Sequence, residues 1–421
     1  MNNTAPTHDD IAQLARAARQ ASRTVATLDG ATRNAVLRDL ADRLEHAASD
    51  LLSANAQDLA AARESGLAGP KLKRLVLTPE SLAQTAEGLR QIAELPDPVG
   101  AVTHESDLPS GLKVQKVRAP LGVVAMIYEA RPAVTVDAFA LCFKAGNSCL
   151  LKGGREAARS NRALAELARA ALAAHGAPEH AIAAVTTTDR EQLRLMLTLT
   201  DDIDLVIPRG GEALIRFVAE HARVPTVQHF HGVCHAFVDR AADLSRAIEI
   251  VATAKTSAPA TCNTLECVLV DRAVAPEFLP RLAERLVRDG VELRADVETL
   301  SLVPGATPAT DDDWGREYLD LILACRVVGG LDEAVEHVHH YGSNHTEVIV
   351  TEDEVAAAEF VDRVHSSCVL VNASSRFNDG FQLGLGAEIG ISTSRVHAYG
   401  PMGVEELTCQ RWVVHGSGQT R

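Results

Sequence analysis

The stretch Leu121-Gly122-Val123-Val124-Ala125-Met126-Ile127 is an unbroken apolar run. Its length and Val/Ile content are those of a strand covered on both faces. A helical pattern follows over about 133–144, then a second apolar run, Ser148-Cys149-Leu150-Leu151-Lys152, and another helix. Two further runs, 181–186 and 203–207, are each followed by helical periodicity. Strand and helix alternate in this way repeatedly, which predicts an α/β fold with a parallel, doubly wound sheet.

Upstream, Ile11, Leu14, Ala18, Ala21 and Val25 recur at helical spacing, as do Val36, Leu40, Leu44, Ala47 and Leu51. Thr78-Pro79-Glu80 reads as a helix start, with Thr78 as cap and Pro79 in the first turn. Residues 112–117 alternate apolar and polar, so one face of a strand is expected to be buried there. Downstream, a second α/β region opens near Cys234-His235-Ala236-Phe237-Val238-Asp239 and runs to about Leu370, with strands expected at 265–270, 325–328 and 347–350.

At 421 residues the chain is too long for one hydrophobic core. A formal net charge of −15 excludes a general nucleic-acid binder, which needs a basic face. No apolar run approaches the roughly 18 residues of a membrane span, and the first ten residues lack the features of a secretory leader. The eight cysteines are scattered without a CxxC, so a reduced, cytoplasmic protein is expected rather than a disulfide framework.

The stretch Thr253-Ala254-Lys255-Thr256-Ser257-Ala258-Pro259-Ala260-Thr261-Cys262-Asn263-Thr264-Leu265-Glu266 sets a cysteine in a loop of small and hydroxyl-bearing residues. Small neighbours leave room for a substrate carbonyl, and nearby N–H groups can hold the oxyanion formed when Cys262 attacks. Lys152-Gly153-Gly154-Arg155 follows a buried strand and opens a helix, where backbone can approach an anionic ligand and two cations lie close. Pro208-Arg209-Gly210-Gly211 repeats that arrangement after a later strand. Gly384-Leu385-Gly386-Ala387-Glu388-Ile389-Gly390 has its third glycine one position late for a dinucleotide fingerprint, and no phosphate loop of the GxxxxGK[ST] type occurs. A rival reading is a metal-dependent hydrolase or metal binder built on His229, His231 and His235, with Cys234 adjacent and His337, His339 and His340 as further ligands. No carboxylate sits inside that cluster to orient its imidazoles, so no metal is expected.

Several segments together resemble the γ-glutamyl phosphate reductase family, a branch of the aldehyde dehydrogenase superfamily, over nearly the whole chain. They are Ile127-Tyr128-Glu129-Ala130-Arg131-Pro132, Leu151-Lys152-Gly153-Gly154, Ile207-Pro208-Arg209-Gly210-Gly211, Thr261-Cys262-Asn263-Thr264, residues 334–347, Val371-Asn372-Ala373-Ser374-Ser375-Arg376-Phe377, Gly384-Leu385-Gly386-Ala387-Glu388 and Gly400-Pro401-Met402-Gly403. The chain departs from the family at His229-Phe230-His231, where a glycine-containing stretch is usual. The resemblance implies an aldehyde-dehydrogenase-like fold: a Rossmann-type NADP-binding domain over 1–107 and 120–230 with a return segment at about 371–400, a catalytic domain over 231–370, and oligomerisation strands at 108–119 and 404–421.

It also implies that Cys262 is the nucleophile, with Asn263 beside it, and that NADPH reduces a glutamyl phosphate to its semialdehyde in proline biosynthesis through a thioester. Lys152, Gly153, Gly154, Arg155, Arg209, Gly210, Gly211 and Glu317 are the expected cofactor contacts. Arg155 stands where NAD-preferring relatives often carry a glutamate, and its fork suits a 2′-phosphate. Arg131, Arg376, Arg209, Asn263, His345 and Asn372 are expected on the substrate, and Glu347 on its ammonium group. The expected partners are the small-molecule substrate, phosphate, further copies of the chain and, transiently, the upstream glutamate kinase.

Overall fold

Helical periodicity in the first hundred residues becomes five helices, α1 (His8–Val25), α2 (Gly30–His46), α3 (Ala48–Glu64), α4 (Gly69–Leu75) and α5 (Pro79–Glu94). The run from Val36 to Leu51 is not one helix. It breaks at Ala47, whose N–H still bonds to Arg43 while its ψ of 10° leaves the helical region, so Val36, Leu40 and Leu44 are buried from α2 and Leu51 from α3. At α5 the Thr78 hydroxyl accepts the Ser81 N–H and the Ser81 hydroxyl accepts the Thr78 N–H, a reciprocal cap with Pro79 in the first turn.

The computed structural model describes residues 8–185, 189–227 and 231–420. Two compact units are present, one of Met1–Gln228, Gly384–Gly390 and Met402–Arg421, the other of His229–Leu383 and Ile391–Pro401. Of the segment expected to return to the first domain at 371–400, only Gly384–Gly390 groups with it.

In the first unit, β1 (Val102–Asp107) and β2 (Lys113–Pro120) precede β3 (Val123–Tyr128), α6 (Val134–Lys144), β4 (Ser148–Lys152), α7 (Ala158–Ala174), β5 (Ile182–Ala184), α8 (Arg190–Met196), β6 (Leu205–Arg209) and α9 (Glu212–His221). The apolar run that begins the alternation is β3, buried along its whole length. It lies between β4 and β6 in a parallel sheet of order β5-β4-β3-β6. α1 helps cover this sheet, with Ile11, Ala15 and Ala18 packed with Val123, Ala125 and Leu150.

The second unit holds β7 (Cys234–Val238), α10 (Leu244–Thr256), β8 (Leu265–Asp271), α11 (Ala275–Arg288), β9 (Glu292–Ala295), α12 (Val297–Leu302), β10 (Thr307–Pro308), β11 (Ile322–Val328), α13 (Leu331–Tyr341), β12 (Thr346–Val350), α14 (Glu354–Arg363) and β13 (Cys368–Val371). Its seven strands are parallel, in the order β10-β9-β11-β8-β7-β12-β13. Two short strands, β14 (Gly390–Ser392) and β15 (Gly400–Met402), lead to β16 (Thr408–His415). β16 pairs antiparallel with β2, which pairs with β1, so the alternating 112–117 segment lies in the middle of a separate three-stranded sheet. Asn147 ties that tail to the first unit's parallel sheet, donating to the Leu407 carbonyl while accepting the Gly122 N–H, both at 2.8 Å.

Candidate active site

The loop 257–264 leaves the end of α10 and enters β8, so Cys262 sits at the amino end of the second unit's sheet. Its hydroxyls are committed to the turn itself. Thr261 and Thr264 both donate to the Ala258 carbonyl. A remote segment braces the loop from outside: Arg376 donates to the Thr261 hydroxyl at 2.7 Å, and Ser375 donates to the Asn263 carbonyl at 2.7 Å. The Asn263 side chain, 4% exposed, donates to the Asn378 carbonyl at 3.0 Å, and its amide oxygen lies 3.0 Å from the Thr261 hydroxyl. Cys262 itself is half-buried, whereas Cys142, Cys149, Cys234, Cys267 and Cys325 are fully buried. Burial pushes the Cys234 thiol well above its ordinary range, and that thiol donates to the Cys262 carbonyl at 3.3 Å.

Other loops preceding strands close around the same place. Gly232, just ahead of β7, lies so near the Cys262 carbonyl that a Cβ there would collide with it. The Gly232 N–H donates to Glu317 at 3.0 Å, and the Val233 N–H to the Ser343 hydroxyl at 2.8 Å. Glu317 and Arg376 are therefore brought to the Cys262 loop. His345 is fully buried behind it, its Nδ1 2.6 Å from the Thr346 hydroxyl and 3.7 Å from the Cys234 sulfur.

Two expected substrate contacts are otherwise engaged. Glu347 is fully buried, taking the His235 N–H and Nδ1, each at 3.0 Å, and the Ser366 hydroxyl at 3.1 Å. That geometry offers an incoming ammonium no approach, so Glu347 is a core acceptor and not an ammonium site. Asn372 brackets the backbone of Thr351 with both ends of its amide, at 3.0 and 2.8 Å, in the left-handed region at φ 54°. It fixes a turn at the far end of β12.

Among the described residues, the histidine cluster does not assemble as a ligand set. His229 lies outside the described residues, His231 is exposed and His235 is fully buried on β7. His339 and His340 are exposed. A different trio, His235, Cys267 and His337, does come within 4.8 Å in the core. Arg326 donates to His337 Nδ1 at 3.1 Å, which leaves the proton of a neutral ring on Nε2, the nitrogen 3.7 Å from the Cys267 sulfur. A protonated nitrogen presents no lone pair, and the remaining two ligands do not close a tetrahedral site.

In the first unit, Gly153 and Gly154 follow β4 and α7 begins at Ala158. A Cβ at Gly153 would collide with the Asn161 amide. Asn161 is held in turn by Thr135, which also bonds to the Tyr128 hydroxyl at 2.7 Å. The result is a small pocket at the carboxyl ends of β3, β4 and β5, lined by Tyr128, Gly153, Gly154, Arg155, Asn161 and Arg162. Bare backbone, an aromatic wall and two exposed arginines meet there, a set of groups that suits an anionic ligand. Lys152 donates to the Gly153 carbonyl at 2.8 Å, and burial lowers its pKa. Arg209 ends β6 and faces Glu388 at 3.8 Å, while the Gly211 N–H points at Glu129 from 3.4 Å. Arg131 lies two residues beyond Glu129, just after Ala130, which takes φ 43° with its N–H on Glu156 at 2.7 Å.

The family model for the "Aldehyde dehydrogenase family" matches residues 2–299. A gamma-glutamyl phosphate reductase of Xylella fastidiosa is 54% identical over 411 residues, 98% of this chain and 99% of that protein. One of Salinibacter ruber is 51% identical over 427 residues, 100% of this chain and 98% of that protein. The crystal structure of gamma-glutamyl phosphate reductase from Thermotoga maritima superposes with a TM-score of 0.96 at 41% identity, covering 98% of this chain and 100% of that one. The chain belongs to the γ-glutamyl phosphate reductase branch of the aldehyde dehydrogenase family. It is an oxidoreductase with that family's α/β fold, and its cofactor is of the nicotinamide class.

For a γ-glutamyl phosphate reductase, three features of this site carry no signal in the local sequence. Arg162, on α7, lines the same pocket as Arg155, which precedes that helix. Ser375 and Asn378 hold the nucleophile loop across more than a hundred residues. Lys255 and Glu266 form a fully buried ion pair at 2.6 Å behind it.

Proposed function

We propose that this chain reduces L-glutamyl 5-phosphate to L-glutamate 5-semialdehyde with NADPH, releasing phosphate, as the reductase of proline biosynthesis. The observation that carries the reading is Cys262, a half-exposed thiol in a small-residue loop braced by a distant segment, in a chain so similar to proteins of that name. The thiolate attacks the γ-carbonyl of the acyl phosphate, the C–O bond to phosphate breaks, and a Cys262 thioester remains. NADPH supplies the hydride when bound. The hydride adds to the thioester carbonyl carbon, the resulting thiohemiacetal on Cys262 collapses, the C–S bond breaks, and the semialdehyde leaves as the Cys262 thiolate is regenerated.

Other features fit this reading. A thioester meant to meet phosphate rather than water is best left without a general base. Glu266 is buried on Lys255, and Glu129 pairs with Lys71 at 3.3 Å. Glu317, on the nucleophile's side, is our candidate for the nicotinamide ribose. Lys152, Gly153, Gly154 and Arg155 hold the adenosine end, with Arg155 and Arg162 favouring a 2′-phosphate; Gly210 and Gly211 give backbone access beside Arg209. Arg376, with Asn263 and His345 behind it, and Arg131 are the candidates for the substrate's anionic groups. None of the eight cysteines is in a disulfide, which suits a reducing cytoplasm. The exposed edge of β16 suits assembly with further copies, and a labile acyl phosphate suits a transient hand-over from the upstream kinase.

The deciding experiment is phosphate-dependent NADP reduction with glutamate semialdehyde, wild type against Cys262→Ala. The variant should lose turnover by on the order of a thousandfold or more while still binding NADPH. Turnover near the wild-type level would remove Cys262 as nucleophile.

A further inference from the structure

Lys255 lies in the last turn of α10 and Glu266 is the second residue of β8, so the two flank the loop that carries Cys262. Their Nζ and Oε2 are 2.6 Å apart, and both side chains are 0% exposed. Withdrawing two charges from water costs several kcal/mol each, and apolar residues of similar volume often hold a core at least as well. Stability alone therefore does not account for an ion pair here. Burial pushes the Glu266 carboxyl up to about 7, against the pull of Lys255.

The second Glu266 oxygen accepts the Leu319 N–H at 3.3 Å. Leu319 adopts φ 55°, a left-handed conformation that costs a branched side chain about 1–2 kcal/mol. Such strain persists only where the surroundings fix it, and Leu319 is itself 41% exposed, so its own packing does not. The Lys255 ammonium stands 5.9 Å from the neighbouring Tyr318 ring. This strained corner presents Glu317, whose carboxylate takes the Gly232 N–H at 3.0 Å, and Gly232 abuts the Cys262 carbonyl. The connections leave the nucleophile loop through Lys255 and Glu266, pass through Leu319, Glu317 and Gly232, and return to Cys262 from its other side.

We propose that Lys255 and Glu266 are positioning residues for the reaction: their buried pair holds the strained Leu319 corner, and through Glu317 and Gly232 it fixes the direction in which the Cys262 thiol is presented. This deepens the reductase reading and rests on it for its kinetic arm. The pair touches no reacting atom. A small displacement of a nucleophile is enough to matter, because productive geometry is narrow.

The test uses the full chain with Lys255→Met/Glu266→Leu, Glu266→Gln and Leu319→Gly. Three readings are taken: thermal melting, kcat and KM for the phosphate-dependent oxidation, and the rate at which iodoacetamide alkylates Cys262, followed on its peptide by mass spectrometry. The double apolar variant should melt close to wild type yet lose kcat by about tenfold or more, with KM for NADP unchanged and Cys262 alkylation slowed. Glu266→Gln, which keeps an acceptor for Leu319, should recover part of that loss. Should the double variant fail to fold, Leu319→Gly decides. Glycine is at ease at that φ, so the fold holds or gains stability while the released corner lowers kcat. Wild-type kcat and alkylation in a folded double variant, or wild-type kcat in Leu319→Gly, overturns the proposal. Absence of phosphate-dependent activity in the wild type would instead count against the reductase reading, and the alkylation comparison would still judge the pair.

Discussion

Cys262 differs from its five buried counterparts by what surrounds it, not by what it is. Its neighbours are small, the Thr261, Asn263 and Thr264 side chains hold the turn, and Cys262 is only half-buried. Asn263 is the clearest case of a residue whose role widened with the structure. Expected beside the thiol and on the substrate, it also uses its amide to join the Cys262 loop to the 376–378 backbone. Asn263→Ala should leave buried carbonyls without a donor and cost about 1–3 kcal/mol, read from urea unfolding midpoints. At the cofactor pocket, Arg155→Glu should raise KM for NADPH by about tenfold or more while NADH changes little or improves, since a carboxylate repels a 2′-phosphate and accepts from a 2′-hydroxyl. Unchanged selectivity in steady-state kinetics would take Arg155 out of cofactor choice.

Among the elements, β16 is an edge strand whose exposure suits a partner. It pairs with β2 on one side only, and Trp412 and Val414 are 61% and 52% exposed. A free edge with large apolar side chains is a template for another strand. If this edge is the assembly surface, Trp412→Asp with Val414→Lys should reduce the mass found by light scattering without lowering the melting point of the subunit by more than a few degrees. An unchanged mass would point to a different surface. Periodicity made β3, β4 and the early helices legible, because each depends on neighbours within a few residues. It failed at Ala47, where two helices meet without Gly or Pro to mark the join, and at β9, β10 and β13, which are too short to carry a pattern of their own.

For the whole molecule, the buried centre of the second unit sets a pH limit. Burial, the nearby His235 and the Arg326 guanidinium hold His337 down to about 2, against an ordinary value of 6.5. The folded state therefore binds fewer protons than the unfolded chain between those values, so the stability tied to a neutral His337 is complete above 6.5 and drains away as pH falls below it. Thermal melts at pH 7.5 and pH 5 should show this loss, and His337→Phe should flatten it. A His337→Phe profile as steep as wild type would place the acid sensitivity elsewhere.

By itself, the sequence determined the α/β class, the parallel sheets, the small-residue loop around Cys262 and the glycine turns, because each is written in consecutive residues with a physical requirement of their own. The tertiary structure decided which polar groups still face solvent. Glu347 and Asn372 look like ligands for a substrate until the fold supplies partners from other strands, and His229, His231 and His235 look like a metal set until β7 buries the last of them. Lys255, Glu266, Leu319 and Glu317 show the converse. Their meaning lies in contacts across 11, 53 and 85 residues, and separations of that kind leave no trace in local spacing.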